Sequence, residues 1–308
     1  MDLSGSHIGL TGASGMVGRQ IISLIEEKGG SAIVTSRTPP KSPSASIGWK
    51  KLDLSEKMTF DVLDDLFVDV DCFIHAGASI PGHSDDLSEV EILSSNVNST
   101  YLIGKWCAEK NIPLIFLSSC IVYEQPNKEC IREEDALGAN HLSGVYGLSK
   151  RLAEKTLIDC QYAGLKLTTL RLSSVYGPGM PDSKFLPQTL LRACGGGVTQ
   201  FSNNLINMIH TSDVAKACFS ALEFDAQGTF NLGASRCCSI GELVDCCVKV
   251  VGQGRAEELE NADKLSRLYD VDISKAQEAF GFESQMGLDE GVKSVLDWLA
   301  EQNVNYMQ

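Results

Sequence analysis

The sequence predicts an α/β protein, a doubly wound parallel sheet followed by a smaller lobe. Three observations carry this. Short, nearly all-apolar runs alternate with helical patterns through the first half, a glycine-rich turn joins the first run to the first helix, and the alternation dissolves into a Gly/Pro-rich stretch after Arg171. Strands are expected at residues 7–10, 31–35, 72–75, 114–118 and 167–172, each short and apolar enough to be covered on both faces. Helices are expected over 17–27, 96–109 and 146–162, where apolar residues recur every three or four positions. From Tyr176 to Pro187 the chain carries Gly177, Pro178, Gly179, Pro181 and Pro187, which break regular structure. Two more helices are expected at 273–280 and 288–299. The organisation that follows is a dinucleotide-binding domain over 1–173, which takes back a segment at about 206–234, and a substrate-binding lobe made mainly of 174–308.

Composition narrows the partners. The 308 residues are 43% hydrophobic and 21% charged, as expected of a folded globular chain. With 26 Lys and Arg against 40 Asp and Glu, the net charge of −14 repels nucleic acid and anionic lipid surfaces. A small anion remains bindable at a helix N-terminus, because salt screens the distant field within about 10 Å. The eleven cysteines show no C-x-x-C spacing, and the pairs Cys237/Cys238 and Cys246/Cys247 point their neighbours apart, so buried thiols are expected and no metal. No charged-then-apolar leader opens the chain and no apolar run approaches the ~18 residues of a membrane span, so a cytoplasmic protein is expected.

The first strand runs into Thr11-Gly12-Ala13-Ser14-Gly15-Met16-Val17-Gly18 and then a helix. Glycine admits a pyrophosphate close to the backbone, and the N–H groups of the first helical turn point at its charge. Gly12, Ser14, Gly15, Met16, Val17 and Gly18 are therefore candidate cofactor contacts. The second strand ends at Arg37, where a carboxylate would suit a free ribose 2′-hydroxyl; a guanidinium instead suits a 2′-phosphate, so NADP(H) is expected in preference to NAD(H).

Tyr146 and Lys150 stand four apart at the start of a helix, neighbours on one face. An ammonium beside a phenol favours the phenolate, which makes Tyr146 a candidate proton carrier and Lys150 its electrostatic partner and a ribose contact. The strand at 114–118 leads into Ser118-Ser119 at the sheet edge where such folds bind ligands, so a serine hydroxyl is available to a substrate oxygen.

These residues, with others in order along the chain, resemble the extended short-chain dehydrogenase/reductases of the NAD(P)-dependent epimerase/dehydratase group, over nearly the whole length. The landmarks are Thr11-Gly12-x-x-Gly15-x-x-Gly18, Asp53-Leu54, His75-Ala76-Gly77-Ala78, Asn96-Val97-Asn98-Ser99-Thr100, Ser118-Ser119-Cys120-Ile121-Val122-Tyr123, Tyr146-x-x-x-Lys150, Arg171 through Gly179, Ile209-His210-Thr211-Ser212-Asp213 and Phe230-Asn231-Leu232-Gly233. The resemblance implies a Rossmann-type domain. It also implies cofactor contacts from Asp53, Leu54, Ala76, Gly77, Ala78 and Asn96, Ser119 rather than Ser118 as the catalytic hydroxyl, and a homodimer through the helices that hold Asn96 and Tyr146.

Departures from the family bear on substrate. Its 4,6-dehydratases follow the catalytic Thr with Asp-Glu, whereas Cys120-Ile121 follows Ser119 here, which disfavours dehydration. GDP-fucose synthase carries a catalytic cysteine in a superficially similar run, but matching Val-Tyr puts Ile121 at that position and leaves Cys120 to packing. Where nucleotide-sugar epimerases have an Asn and a diphosphate-gripping Arg, this chain has Ser174 and Ile206. Substrate contacts are therefore expected from Ser119, Ser174, Lys184 and Arg192. The function implied is an oxidoreductase that reduces or epimerises a nucleotide-activated keto-deoxysugar. The rivals are a dehydrogenase of a simple alcohol or ketone and a non-catalytic NADP-sensing protein.

Overall fold

In the computed structural model, residues 5–41, 43–81, 87–259 and 266–306 are described. In chain order the elements of the first half are β1 (His7–Thr11), α1 (Met16–Glu27), β2 (Ser31–Ser36), β3 (Ile47–Lys51), α2 (Phe60–Leu66), β4 (Cys72–His75), α3 (Glu89–Lys110), β5 (Leu114–Ser119), α4 (Gly144–Tyr162) and β6 (Leu167–Leu172). They are followed by β7 (Ser174–Tyr176), α5 (Phe185–Cys194), β8 (Val198–Phe201), β9 (Leu205–Ile206), β10 (Met208–His210), α6 (Thr211–Glu223) and β11 (Gly228–Leu232). The chain closes with β12 (Cys238–Ser239), α7 (Ile240–Val251), β13 (Arg255–Glu258), β14 (Arg267–Leu268), α8 (Ser274–Phe280) and α9 (Leu288–Tyr306).

Seven strands form one parallel sheet in the order β11-β6-β5-β4-β1-β2-β3. The chain first winds from β1 outward to β3, then restarts beside β1 at β4 and winds the other way. The switch point thus lies between β1 and β4, and ligands of such sheets bind beyond the carboxyl ends of strands at that point. One face is covered by α1, α6 and α8 over a core that includes Leu10, Ile21, Ile25, Val34, Val214 and Phe230. The other is covered by α2, α3 and α4 over Leu63, Phe73, Ile103, Trp106, Phe116 and Leu157. Burial on both faces explains why the strands read as continuous apolar runs.

Helix α3 begins seven residues ahead of the expected start at 96. Ser88 accepts from the Glu91 N–H while the Glu91 carboxylate accepts from Ser88, a reciprocal cap that starts the helix before its apolar stripe does.

The second lobe is built from smaller pieces. β12-β9-β14 and β13-β8 form two small sheets, and α5, α7 and α9 enclose a separate core of Leu186, Leu190, Leu243, Cys247, Val292 and Val295. Between them in the chain, β10 pairs with β7, α6 packs near α1, and β11 is the edge strand beside β6. Helix α9 also reaches the first half, where the Trp298 ring lies under the Arg19 guanidinium at 4.8 Å and the Lys41 ammonium at 5.1 Å. All eleven cysteines are free thiols, and no helix among the described residues is long and apolar enough to cross a membrane.

Candidate active site

The turn after β1 is shaped by backbone contact. Gly12 has φ +77°, and a Cβ there would stand 2.7 Å from the Gly77 nitrogen, so β1 and β4 approach each other as only glycine allows. A Cβ on Gly18 would strike the Gly12 carbonyl oxygen, which fixes α1 tightly against the turn. Ser14 is held because its carbonyl accepts from Arg19 Nε at 2.8 Å. Gly15 caps α1 without a side-chain acceptor and no acid occupies the first turn, so the N–H groups of Met16, Val17 and Gly18 face outward with no local anion. A turn containing Gly179 covers this point, its α-carbon substituent position 3.6 Å from Met16 Cγ. The turn thus leaves the N–H groups of the first turn of α1 open to an anion, as the expected pyrophosphate contact requires.

Around it the structure gathers the other expected cofactor residues. The Leu54 side chain lies against Gly77, and Ala76 and Ala78 flank it at the end of β4. Arg37 stands exposed just beyond β2. Burial alone would raise the Asp53 carboxyl, but two bonds from Ser55 and the positive charges of Arg37 and Lys51 hold it below the usual carboxylate range. Asn96 is buried, and its amide ties Ser79 to Ser149: Oδ1 accepts from Ser79 N at 2.7 Å, while Nδ2 donates to Ser79 O and Ser149 Oγ, both at 2.9 Å.

At the edge of β5 the two serines separate. Ser118 is buried and donates to Glu154, whereas Ser119 is half-buried and accepts from Ile121 N at 3.3 Å. The Ser118 hydroxyl is thus engaged by a carboxylate, whereas the bond that Ser119 accepts leaves its own proton free of that partner. Cys120 is fully buried, its thiol donating to the Arg171 carbonyl at 3.4 Å and pushed up in pKa by burial, consistent with packing.

Tyr146 and Lys150 lie one turn apart on α4, but their electrostatics differ from expectation. Lys150 is buried and donates to the Leu117 carbonyl at 2.7 Å, with its ammonium 4.7 Å above the Phe116 ring and 5.8 Å from the centre of the Tyr146 ring. Burial, only partly offset by Glu154, brings Lys150 down to about 8. Burial likewise pushes Tyr146 up to about 12, so in the protein alone desolvation outweighs the attraction that would lower the phenol. The reason is placement: the ammonium is anchored to β5 rather than to the phenolic oxygen.

Beneath these residues lies a polar network that spacing alone did not reveal. Arg171 grips Glu154 through two bonds, at 3.1 and 2.8 Å, and donates to Tyr123 Oη at 3.0 Å. Tyr123 in turn donates to Asn231 Oδ1 at 2.6 Å, linking β5, α4, β6 and β11 under the strand ends. The available signal was Arg171 as the one charge in the strand Leu167–Leu172, with Glu154 four residues beyond Lys150.

The expected substrate cations are not brought together. Lys184 caps the N-terminus of α5, near the glycine turn, while Arg192 is in its last turn, about 12 Å along the axis, with its stem against Gly197. Ser174 opens β7, its N–H bonded to Asn207 O at 3.2 Å, and Ile206 is held in the middle strand of β12-β9-β14. The nearby arginines are engaged: Arg236 pairs with Glu242 at 3.2 Å and Arg267 with Glu129 at 2.9 Å. Cys237 and Cys238 turn to different partners, Asp270 and Met208.

Comparison with known proteins agrees with this fold. Over 96% of its length the chain is 26% identical to a putative UDP-glucose 4-epimerase of Methanocaldococcus jannaschii, 98% of which is covered. Among solved structures, the Bordetella bronchiseptica enzyme WbmG in complex with NAD superposes with TM-score 0.81 at 21% identity, covering 98% of this chain and 96% of that one. MoeE5 in complex with UDP-glucuronic acid and NAD gives 0.78 at 22%, covering 96% and 100%. The model of the NAD-dependent epimerase/dehydratase family matches residues 8–233, from the first strand through the last strand of the main sheet. The chain belongs to that family.

Proposed function

We propose that this protein is an NADP(H)-dependent oxidoreductase acting on a nucleotide-activated sugar, reducing a keto-deoxysugar or epimerising a sugar through a keto form. The observation that carries the reading is the juxtaposition of a glycine cradle at β1 and β4 with Ser119, Tyr146 and Lys150 at the next strand end and helix start. The UDP-sugar names of the relatives support the substrate class, and Arg37 supports the phosphorylated cofactor.

The dinucleotide supplies a hydride donor or acceptor when bound. Gly12, Ser14, Gly15, Met16, Val17 and Gly18 hold its pyrophosphate; Asp53, Leu54, Ala76, Gly77 and Ala78 line the adenosine side; Asn96 braces the loop after β4. Ser119 donates a hydrogen bond from its hydroxyl to the substrate oxygen and orients it, keeping its own proton. Tyr146 keeps its proton at neutral pH and gives it to that oxygen as negative charge develops there. The buried Lys150 ammonium stabilises the phenolate that remains, until solvent returns the proton. In the oxidising direction the same groups run in reverse.

A second reading, a dehydrogenase of a non-nucleotide alcohol or ketone, is favoured by Ile206 at a strand-bound position and by the ion pairing of Arg236 and Arg267. Under the first reading Ser174 contacts the substrate, and Lys184 or Arg192 supplies the anion contact. The outer faces of α3 and α4 expose Tyr101, Leu148 and Leu152, which suits a homodimer formed by pairing these helices with a second copy, and the free thiols suit a reducing cytoplasm.

The test is a screen of purified protein for NADPH oxidation with nucleotide keto-sugars and simple ketones, beside interconversion of UDP-glucose and UDP-galactose. Turnover of sugar nucleotides supports the first reading; turnover of simple ketones alone replaces it with the second. Tyr146→Phe should keep cofactor affinity while losing about 10³-fold in turnover. Unchanged turnover removes Tyr146 from the chemistry.

A further inference from the structure

His75, the last residue of β4, is fully enclosed between the glycine cradle and α3. Its Nδ1 lies 2.6 Å from Thr11 Oγ1 and its Nε2 lies 3.0 Å from Thr100 Oγ1. The neighbouring bonds settle which nitrogen carries the proton. Thr100 gives its single hydroxyl proton to the Asn96 carbonyl at 2.7 Å, so it can only accept from the imidazole, and Nε2 must be the donor. Thr11 Oγ1 accepts the Gly77 N–H at 3.1 Å and is left to donate to Nδ1. The ring stacks on Phe116, centroids 5.7 Å apart, and the Lys150 ammonium lies over that same phenylalanine. Burial first, and Lys150 second, bring His75 down to about 3, so it stays neutral throughout the range in which the protein would work.

The bonds continue in both directions. On one side, Thr11 ends the strand that feeds the cradle, and Gly77 is the residue against which Gly12 packs. On the other, Asn96 donates to Ser149 Oγ at 2.9 Å and Ser149 donates to the Tyr146 carbonyl at 2.8 Å. We propose that His75 is a positioning residue which, as its Nε2–H tautomer, joins the backbone of the cofactor cradle to the α3 turn that braces Tyr146. The part played by the Tyr146 arm rests on the function proposed above; the link itself does not. A plain core residue would fill this space as well, but an apolar side chain would leave the Thr11 and Thr100 hydroxyls without their shared partner.

The two arms can be cut separately. In His75→Asn the shorter amide still accepts from Thr11 but does not reach Thr100. NADPH affinity, by calorimetry, should stay within about threefold while turnover falls by at least about tenfold. His75→Gln reaches Thr100 and gives up the acceptor for Thr11, so affinity for NADPH should fall about tenfold, with the smaller loss in turnover at saturation. Thr100→Val, nearly the same shape, should reproduce His75→Asn, and the double variant His75→Asn/Thr100→Val should be no worse than either alone. Independently of any activity, the imidazole nitrogen resonances of His75 in the intact protein should report the neutral Nε2–H form from pH 5.5 to 9.

Affinity and turnover falling together by one factor in both histidine variants overturns the proposal, as do multiplying losses in the double variant or a protonated or Nδ1–H imidazole. If a histidine variant does not fold, Thr100→Val and the resonances decide. If Tyr146→Phe retains turnover, the functional reading fails, while the NADPH affinities and the tautomer still judge the link.

Discussion

The two ends of the cleft are built in opposite ways. On the cofactor side, position is dictated by backbone against backbone: Gly12 meets Gly77, Gly18 meets the Gly12 carbonyl, and a parallel sheet buried on both faces holds each strand end in register. On the far side, strands of two to four residues and the bends between them carry side chains whose charges are already engaged, such as Arg236 with Glu242 and Arg267 with Asp270. The contrast teaches that the part of a site which must fit an invariant ligand is encoded sterically, residue by residue. The part that chooses among substrates is encoded in which side chains remain available.

The comparison can be broken most severely at Gly18. Gly18→Val drives a branched side chain into the Gly12 carbonyl and should reduce NADPH affinity by at least about 100-fold and lower the melting temperature, both measurable by calorimetry. Lys150→Met sharpens it on the chemical side, with turnover expected to fall about 100-fold. Its stability signature is distinctive. The folded-state value of about 8 lies below the 10.5 of a free lysine, so the charged ammonium costs stability, and that cost shrinks as pH rises from about 8 toward 10.5. Wild-type stability relative to Lys150→Met should therefore rise between pH 8 and 10 in denaturant titrations. The kcat of the wild type should fall over the same interval as the ammonium is lost.

Arg37→Ala is expected to have a smaller effect, weakening NADPH by about tenfold while leaving NADH within about twofold; a wild type that prefers NADH ends the assignment of this arginine. The smallest effect belongs to the far side. Lys184→Ala should raise KM about threefold with kcat unchanged, since an exposed side chain at a helix N-terminus contributes little.

The main sheet was legible because its physics is local. Apolar runs such as residues 72–75 need both faces covered, and the turn from Thr11 to Gly18 names its own geometry. Less legible were β3 and α2, whose partly exposed residues dilute the periodic signal, and the early start of α3, which depends on the reciprocal bonds of Ser88 and Glu91 rather than on an apolar stripe. In the candidate site, residue types could be named from spacing, but their ionisation could not. Lys150 is bonded to a carbonyl on another strand, and no separation along the chain encodes that choice. The bond from Ser118 to Glu154, which engages one of the two serines, is likewise a contact between residues 36 positions apart. Lys184 and Arg192 sit about two turns apart on one helix, and their residue types alone do not say which of them meets a substrate anion.

The indole of Trp298, clasped between Arg19 on the first helix and Lys41 beyond the second strand, fastens the last helix across the nucleotide-binding half. Any hinge motion that lifts the far lobe must release both cations together, at a cost of about 1–2 kcal/mol. The contacts hold α9 against the first half of the chain, and the part of the emission that Trp298→Phe removes, with Trp49 and Trp106 remaining, offers a native gauge of whether they are made.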